Sequence, residues 1–576
     1  MVMKLLIGLI FSAFTLSLIG QDRLVRVKAD GFDSRKIERV AKRTFKEVDL
    51  EDLLDELRYL SNRSGYVLHS SLVDSTGDTI VITLQAGNRF VWNSITVNEE
   101  TRSFFRKSGV NIDRLQKKSL SPIRLGTAFN KVLRYCENHG FPFATIKMDS
   151  VEIVGSSVTG AVDLDPGPIT VIDSLQLLGN LNVRESFIGN YTGVKEGSDY
   201  NEQRIRQSVD ELNQVPFIEV VQNPQVRFNK GETKVIMFLN EKKASRFDGI
   251  IGFLPDEQTG DLLITGDVSL HLENSLKQGE VIDLQWRRLQ SNTQDLVASF
   301  SLPYVLNSPI GPDGRLKIYR RDTTFTDIFG QAGLRYIFRR NNYLRAFADR
   351  QVTNLISTAG YENTVVIPEF LDRSITSYGL GFRYSKYDYP LNPSKGVLVD
   401  VDGAVGTKRI LENSALPDFI YDSLNLTSLQ FRSNATLAYY LSIVPRLVWH
   451  QQLIGGSILN DQVFNNEATR IGGLKTLRGF NEEAIFATSY SILRNELRYQ
   501  IERDGYVFLL FDGAWYENAS LNHIGARRDT PYAFGAGITL GTRAGIFSLS
   551  AAAGSEQGNP ILIRAVKFHF GFLSVF

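Results

Sequence analysis

The sequence predicts a chain in two parts: three small α+β domains, followed by a transmembrane antiparallel β-barrel of about sixteen strands. Three observations predict this. A helix, a helix stop and a β-hairpin recur three times, with a repeat of about 75 residues. From about residue 247, apolar and polar residues alternate in segments of roughly ten residues. The chain also begins with a segment typical of a secretory signal peptide.

Residues 1–20 carry the features of that signal peptide. Lys4 precedes an apolar run from Leu5 to Ile19, and the small residue Gly20 precedes the polar Gln21. The run is too short, and too often interrupted by Ser and Thr, to favour a membrane-spanning helix. Later in the chain no run reaches the length that such a helix needs, so residence in a membrane would depend on strands.

Composition excludes several classes of protein. The 64 Lys and Arg residues balance 63 Asp and Glu residues, so no electrostatic preference for nucleic acid is expected. The single cysteine, Cys136, excludes an intramolecular disulfide, and we expect it to be a small buried residue on a helix face. We expect neither a metal nor a cofactor.

The amino-terminal repeats are predicted at residues 21–88, 89–168 and 169–243. In each, apolar residues recur at helical intervals before an aromatic residue that follows Gly or Pro: Gly65-Tyr66, Gly140-Phe141 and Pro216-Phe217. Two strands around a turn come next. The third repeat opens with an apolar strand that ends at Gly179-Asn180.

These residues resemble POTRA domains, although Pro216 departs from the usual glycine at the third helix stop. Three unrelated α+β domains are the alternative. A POTRA sheet is small and open, so an edge strand exposes unpaired backbone groups. Extended clients could pair with that strand by strand addition, but the sequence does not identify which edge is free.

Residues 244–576 are predicted to form the barrel. One segment places Leu429 and Phe431 on one face and Gln430 and Arg432 on the other, as expected between lipid and a wet lumen. A soluble β-sandwich is the alternative. The last strand resembles the terminal recognition signal of bacterial outer-membrane barrels, from which Ser574 departs; the residues that carry the signal are Phe568, Phe570, Gly571, Phe572 and Phe576.

A long loop, predicted at residues 455–487, contains Leu477-Arg478-Gly479-Phe480. This stretch resembles the Arg-Gly-Phe/Tyr signature of the BamA/TamA superfamily. The resemblance implies that the loop folds back into the barrel and that Arg478 meets acidic residues on the inner wall. Glu496 and Asp512 fit that role, although Leu510 stands where the family has an aromatic residue.

The layout is most similar to TamA-type proteins, which implies a non-enzymatic factor that inserts or translocates proteins. It would lie in the bacterial outer membrane, with its POTRA domains in the periplasm and unfolded outer-membrane or secreted proteins as clients. A periplasm-spanning partner protein is a further partner that this layout allows. The seam between the first and last strands, roughly Phe247 to Phe253 and Phe568 to Phe576, would act as a lateral gate.

Three alternatives remain open. A two-partner secretion translocator would pass one client through the pore, and such proteins usually carry two POTRA domains and a leading plug helix. A passive pore or surface antigen would need neither a periplasmic repeat nor an Arg-Gly-Phe loop. An outer-membrane lipase would need paired Ser and His residues, but the barrel histidines have no clear Ser–Asn partnership and the sequence has no Gly-x-Ser-x-Gly elbow. We therefore expect no enzymatic activity.

Overall fold

The computed structural model describes most of the chain beyond residue 23. The described residues are 24–41, 44–45, 50–76, 79–116, 118–229, 231–255, 262–290, 293–358, 361, 367–389, 392–521, 527–542, 545–561 and 566–575. The predicted signal peptide and Phe576 lie outside them. The chain divides into two compact units, Met1–Val171 with Asp199–Gln203, and Ile172–Ser198 with Arg204–Phe576.

The first domain packs two helices on a sheet of order β2-β1-β4-β3, in which β1 and β4 run parallel. Its core consists of Ile37, Leu57 and other apolar side chains from both layers. The elements are β1 (Leu24–Asp30), α1 (Arg35–Ala41), β2 (Thr44–Phe45), α2 (Leu50–Ser64), β3 (Ser70–Thr76) and β4 (Thr79–Gln85).

The second domain has a sheet of order β5-β7-β6. Cys136 is fully buried in its core beside Val132 and Phe105, as a small residue on the inner face of a helix. The elements are β5 (Val91–Val97), α3 (Glu99–Lys107), α4 (Ile112–Gln116), α5 (Pro122–Glu137), β6 (Thr145–Val154) and β7 (Ser157–Asp165).

The third domain has the same sheet order, β8-β10-β9. The elements are β8 (Ser174–Leu178), α6 (Glu185–Thr192), α7 (Glu202–Leu212), β9 (Ile218–Asn229) and β10 (Glu232–Glu241). The sequence predicted one helix in each repeat, namely α2, α5 and α7. The structure adds α1, α3, α4 and α6, which are short and carry few apolar residues, so that periodicity alone gives them a weak signal.

The second unit contains the antiparallel barrel. Its first strands are β11 (Arg246–Pro255), β12 (Leu262–Glu273), β13 (Val281–Gln290), β14 (Thr293–Ser301), β15 (Ile310–Arg321), β16 (Phe325–Arg339), β17 (Asn342–Leu355) and β18 (Arg373–Tyr387). Then follow β19 (Gly396–Ile410), a short helix α8 (Phe419–Asp422), β20 (Thr427–Val444) and β21 (Leu447–Leu459). A two-stranded hairpin, β22 (Thr469–Ile471) and β23 (Ile485–Ala487), lies outside the barrel sheet.

The last barrel strands are β24 (Ser489–Glu502), β25 (Gly505–Glu517), β26 (Arg528–Asp529), β27 (Tyr532–Thr542), β28 (Gly545–Ser555) and β29 (Lys567–Val575). Strands β26 and β27 both pair with β25 and together make one interrupted strand. Counted in this way, the described residues form a barrel of sixteen strands, which confirms the predicted fold class.

The barrel wall separates apolar from polar side chains in the predicted way. On β20, Leu429 and Phe431 are 62% and 51% exposed on the outer surface, whereas Gln430 between them is 7% exposed. This alternation is typical of a strand between lipid and lumen. No helix in the described part of the chain is long and apolar enough to cross a membrane.

The third domain contacts one end of the barrel, and we call this the domain-side end. Arg339 and Arg340, beside the β16–β17 turn, each donate a hydrogen bond of 3.2 Å to buried Glu211 of α7. The Phe187 ring of α6 lies 5.8 Å from the Tyr304 ring, which follows β14. The longer connections leave the opposite end, which we call the far end.

The seam between β11 and β29 is short. The described residues of the two strands pair at Arg246 with Val575 and at Phe247 with Ser574, both at the domain-side end. By contrast, β11 pairs with β12 along its length, from Arg246 opposite His271 to Pro255 opposite Leu262. The first and last strands therefore share much less backbone pairing than other neighbours in the barrel.

Candidate functional site

The loop between β21 and β24 is the centre of the site. It spans residues 460–488, and its β22–β23 hairpin forms a stem that carries residues 472–481 as a tip. Residues 482–487, which lead from the tip back toward β24, are called the returning arm. The sequence placed the start of this loop at residue 455. The structure extends β21 to Leu459 because Gly455 and Gly456 pair with β24, where the Tyr490 ring lies over Gly456.

Arg478, at the tip, is 2% exposed and bound by two carboxylates from neighbouring strands. Its Nε and Nη2 donate to the two oxygens of Asp512 on β25, at 2.8 and 2.6 Å. Its backbone N–H also donates to Asp512, at 3.1 Å, and its Nη1 donates to Glu496 on β24. The structure thus brings together Arg478 and the two acidic residues named from the sequence.

Glu496 is itself held by a second layer of polar side chains. Its second carboxylate oxygen accepts a hydrogen bond of 2.7 Å from Arg498, which lies two residues further along the same face. Arg498 Nη2 lies 3.0 Å from His450 Nδ1 on β21, and the His450 ring stacks on Tyr440 at 4.4 Å. These contacts fix the position of the carboxylate that receives Arg478.

Gly479 allows the tip to lie against the barrel wall. It has a φ of +86°, and a Cβ at this position would lie 2.8 Å from the Ala533 Cβ and 3.1 Å from the Gly554 nitrogen. Its N–H donates to His569 Nε2 on β29, at 3.3 Å. A residue with a side chain would therefore meet both an unfavourable backbone conformation and steric overlap.

Leu477 and Phe480 complete the contact as apolar residues. Leu477 is fully buried and Phe480 is 8% exposed, in a cluster with Ile492 of β24 and Ala533 of β27. Phe480 also covers Gly554 of β28, where an added Cβ would lie 2.6 Å from its ring. The four-residue motif therefore binds the wall from β24 to β29.

On its opposite face, the loop contacts the first half of the barrel through the stem and the returning arm. Glu483 accepts hydrogen bonds from Arg287 of β13, at 2.7 Å, and from Arg470 of β22, at 3.1 Å. Arg470 also donates to the Tyr319 hydroxyl of β15, at 2.7 Å. The sequence analysis did not identify these residues. The alternation of β13 places Arg287 on the luminal face, and this was the signal that could have identified it.

The terminal-strand residues lie at the seam rather than in this cluster. Phe568 and Phe570 are 75% and 58% exposed on the outer surface of β29. Gly571 faces inward, where an added Cβ would lie 3.8 Å from Leu474 of the loop. Phe572 belongs to β29, and Phe576 falls outside the described residues.

The ion cluster around Arg478 anchors the loop to the inner wall and so restrains movement of the loop inside the barrel. The Arg478 guanidinium is shared between two buried carboxylates, and each hydrogen bond is charge-assisted. Removing one member of such a cluster would leave an unpaired buried charge, which costs several kcal/mol. The site can therefore hold the tip in one position against the last strands.

Comparisons with known proteins agree with this architecture. Residues 406–540 match the model of the family described as haemolysin secretion/activation protein ShlB/FhaC/HecB. That segment includes Arg478, Glu496 and Asp512. No curated protein sequence matches the chain.

The fold is shared with solved structures, among them two CdiB proteins. CdiB from Escherichia coli is 15% identical over 91% of this chain and 97% of its own, with a TM-score of 0.54. CdiB from Acinetobacter baumannii is 14% identical over 84% of this chain and 90% of its own, with a TM-score of 0.51.

Proposed function

We propose that this chain, which has the POTRA-barrel fold of the BamA/TamA superfamily, assembles or translocates other proteins at the bacterial outer membrane. The amino-terminal domains would lie in the periplasm and collect unfolded clients, and the barrel would give them access to the membrane or the exterior. We expect no bond to be made or broken in a client. The partners are thus unfolded polypeptides and the lipid bilayer.

The observation that carries this proposal is the short seam beside an anchored loop. A closed barrel has no free sheet edge, so a weakly paired seam is the place where a client strand could find backbone partners within the membrane. Here β29 pairs with β11 at two described positions, and the loop tip contacts β29 through Gly479 and His569. A transient opening of the seam would cost few backbone hydrogen bonds.

Edge strands in the sheets of the amino-terminal domains support the collection of clients. In all three sheets the first strand of the hairpin, β3, β6 or β9, lies at an edge. Strand β6 is the most apolar on its surface: Val151, Ile153 and Val154 are 51%, 61% and 77% exposed. An extended apolar segment could pair with this edge through its backbone and cover these side chains.

A second candidate is the export of one secreted polypeptide through the barrel, as in two-partner secretion. The match to a secretion/activation family favours it, because that match spans the Arg478 cluster. The three amino-terminal sheets favour assembly, since the sequence resemblance associates translocators with two POTRA domains. Both candidates use the same barrel and differ in the fate of the client.

Reconstitution of the full chain in liposomes separates them. An unfolded outer-membrane barrel is added from outside, and its folding is followed by gel mobility, with empty liposomes as the control. Faster folding supports assembly. Protease protection of a soluble client, with no effect on barrel folding, supports translocation, and the absence of both effects would contradict the proposal.

A further inference from the structure

The two faces of the loop between β21 and β24 differ in burial and in chemistry. The face toward β24–β28 is buried: Ile471, Leu477 and Ala487 are inaccessible to solvent there. The Arg478 ion cluster on this side is equally inaccessible, because the side chains of Arg478 and Asp512 are 2% and 0% exposed. Separating this face from the wall would uncover apolar surface and unpaired charges together.

The face toward β13–β15 is polar and partly exposed. The Arg287 and Glu483 side chains are 21% and 35% exposed, and that of Arg470 is 22% exposed. Water competes for such groups, so their ion pairs hold less tightly than the buried cluster does. Glu483 also has a φ of +53°, a conformation that is unfavourable for a residue with a side chain.

A cavity of about 480 Å³ lies on this polar face, between the returning arm of the loop and the wall. Its lining combines the aromatic rings of Tyr319 and Phe486 with the guanidinium groups of Arg287, Arg321 and Arg470 and with acidic side chains. A lining that mixes aromatic rings with charges of both signs suits an extended polypeptide of varied sequence better than one small ligand.

We propose that the Arg287–Glu483 pair is a second, releasable anchor of the loop. The tip stays fixed on β24–β29 through Arg478, while the returning arm leaves β13–β15 when the pair breaks. The cavity then widens into a passage along the inner wall, which takes an extended segment of the client polypeptide. The identity of the occupant, a client polypeptide, rests on the proposed function. The movement of the loop does not.

The proposal makes Arg287 and Glu483 positioning residues with a measurable effect in the absence of any client. Ion conductance through the full chain in planar lipid bilayers reports how far the loop obstructs the lumen. Arg287→Gln and Glu483→Gln each remove one charge of the pair; Glu483→Gln keeps the size of the side chain, and Arg287→Gln shortens it. The matched control is Arg383→Gln, which breaks a luminal pair with Asp400 whose side chains are 36% and 35% exposed.

We expect each of the two substitutions to raise the open-channel conductance or its frequency several-fold. The double variant should match Glu483→Gln, because that single substitution already removes the pairs of Glu483 with both Arg287 and Arg470. Arg287→Lys should stay near the unaltered protein, since an ammonium group still meets Glu483. Arg383→Gln should leave the conductance unchanged, and gel mobility confirms that every variant is folded.

Unchanged conductance in both variants would overturn the proposal, as would an equal increase in the Arg383→Gln control or additive effects in the double variant. If one variant does not fold, the other one and Arg287→Lys still decide the question. These outcomes are independent of the client assays in liposomes. Failure of the second anchor is therefore distinguishable from failure of the proposed function.

Discussion

At the scale of single residues, Arg478 organises the site because its guanidinium reaches two strands at once. Asp512 receives two side-chain hydrogen bonds and one from the backbone, and Glu496 receives another. A planar group with donors on three nitrogens can make this contact, whereas an ammonium group cannot span both carboxylates. The requirement for arginine thus follows from the geometry.

Arg478→Lys is expected to lower the free energy of unfolding by about 3–5 kcal/mol, the cost of breaking a buried ion pair. Urea unfolding in detergent, followed by gel mobility, measures the change. Arg528→Ala is the control, because its side chain is 70% exposed beside Glu517 and should contribute less than about 1 kcal/mol. Equal losses in the two variants would argue against the anchor.

Gly479→Ala tests the close approach of the tip to the wall. We expect a loss of about 1–3 kcal/mol in stability from overlap with Ala533 and Gly554, in addition to backbone strain. Gly558→Ala is a matched control: its φ is +75°, but no atom lies within 4 Å of an added Cβ. The difference between the two variants isolates the steric contact, and no difference would mean that the tip can move aside.

Cys136 should be unreactive in the native protein. Burial raises the pKa of its thiol from 9.0 to about 11, so the thiolate is scarce at neutral pH and the side chain is inaccessible. Maleimide labelling should be slow up to pH 9 and fast in urea. Because the folded pKa is the higher one, this group favours folding below pH 9 and loses that effect as the pH rises toward 11.

A control for this labelling experiment is Ser156→Cys combined with Cys136→Ser, which places the thiol in the exposed β6–β7 turn. That variant should react at the same rate with and without urea. Fast labelling of Cys136 in the native protein would show that the core of the second domain opens readily.

At the scale of elements, the edge strand β6 gives a test of client binding. Ile153→Lys places a charge on the apolar edge, and we expect it to weaken the binding of an extended apolar peptide about fivefold, corresponding to the roughly 1 kcal/mol of a cross-strand pair. Ile169→Lys is the control, because Ile169 is also exposed, at 69%, but lies outside the strands. Fluorescence anisotropy of a labelled peptide measures both, and equal effects would contradict strand addition.

The sequence predicted helices and strands well where the apolar periodicity was strong. It predicted them poorly where pairing with a distant strand determines where an element ends. The stripes of α2, α5 and α7 and the alternation of β20 were visible in the amino-acid pattern. Gly455 and Gly456 fell inside the predicted loop, 455–487, and glycine usually weakens a strand. Their pairing with Ser491 and Tyr490 keeps them in β21, and that register is a long-range property.

The site was predictable in part for the same reason. Arg478, Glu496 and Asp512 could be named from a motif and from alternation along two strands. His569 and Arg287 could not, because they reach the loop from strands distant in the chain. The path of the loop decides these contacts, and it also decides which partner Glu483 meets. A single sequence carries little local information about contacts between residues that are distant in the chain.

At the scale of the whole molecule, the barrel has extensively paired strands and one short seam. The anchored loop contacts strands on both sides of this seam. The tip binds β29 through His569, and the returning arm binds β13 through Arg287. The loop therefore connects the last strands with the first ones across the inside of the barrel. The proposed function requires that the seam between them can open.

A reversible disulfide across the seam tests whether the seam must open. Phe247 and Ser574 are paired across β11 and β29, so cysteines at both positions are placed to form a disulfide. The control pair, Leu453→Cys with Leu493→Cys, joins β21 to β24, which pair along eleven successive positions and which we expect to stay paired when the seam opens. Client folding in liposomes is measured for both oxidised proteins and again after reduction.

We expect the oxidised seam variant to lose client folding and to recover it when reduced, while the control pair stays active throughout. Full activity of the locked seam would contradict the account, because clients would then be handled without any opening between the first and last strands.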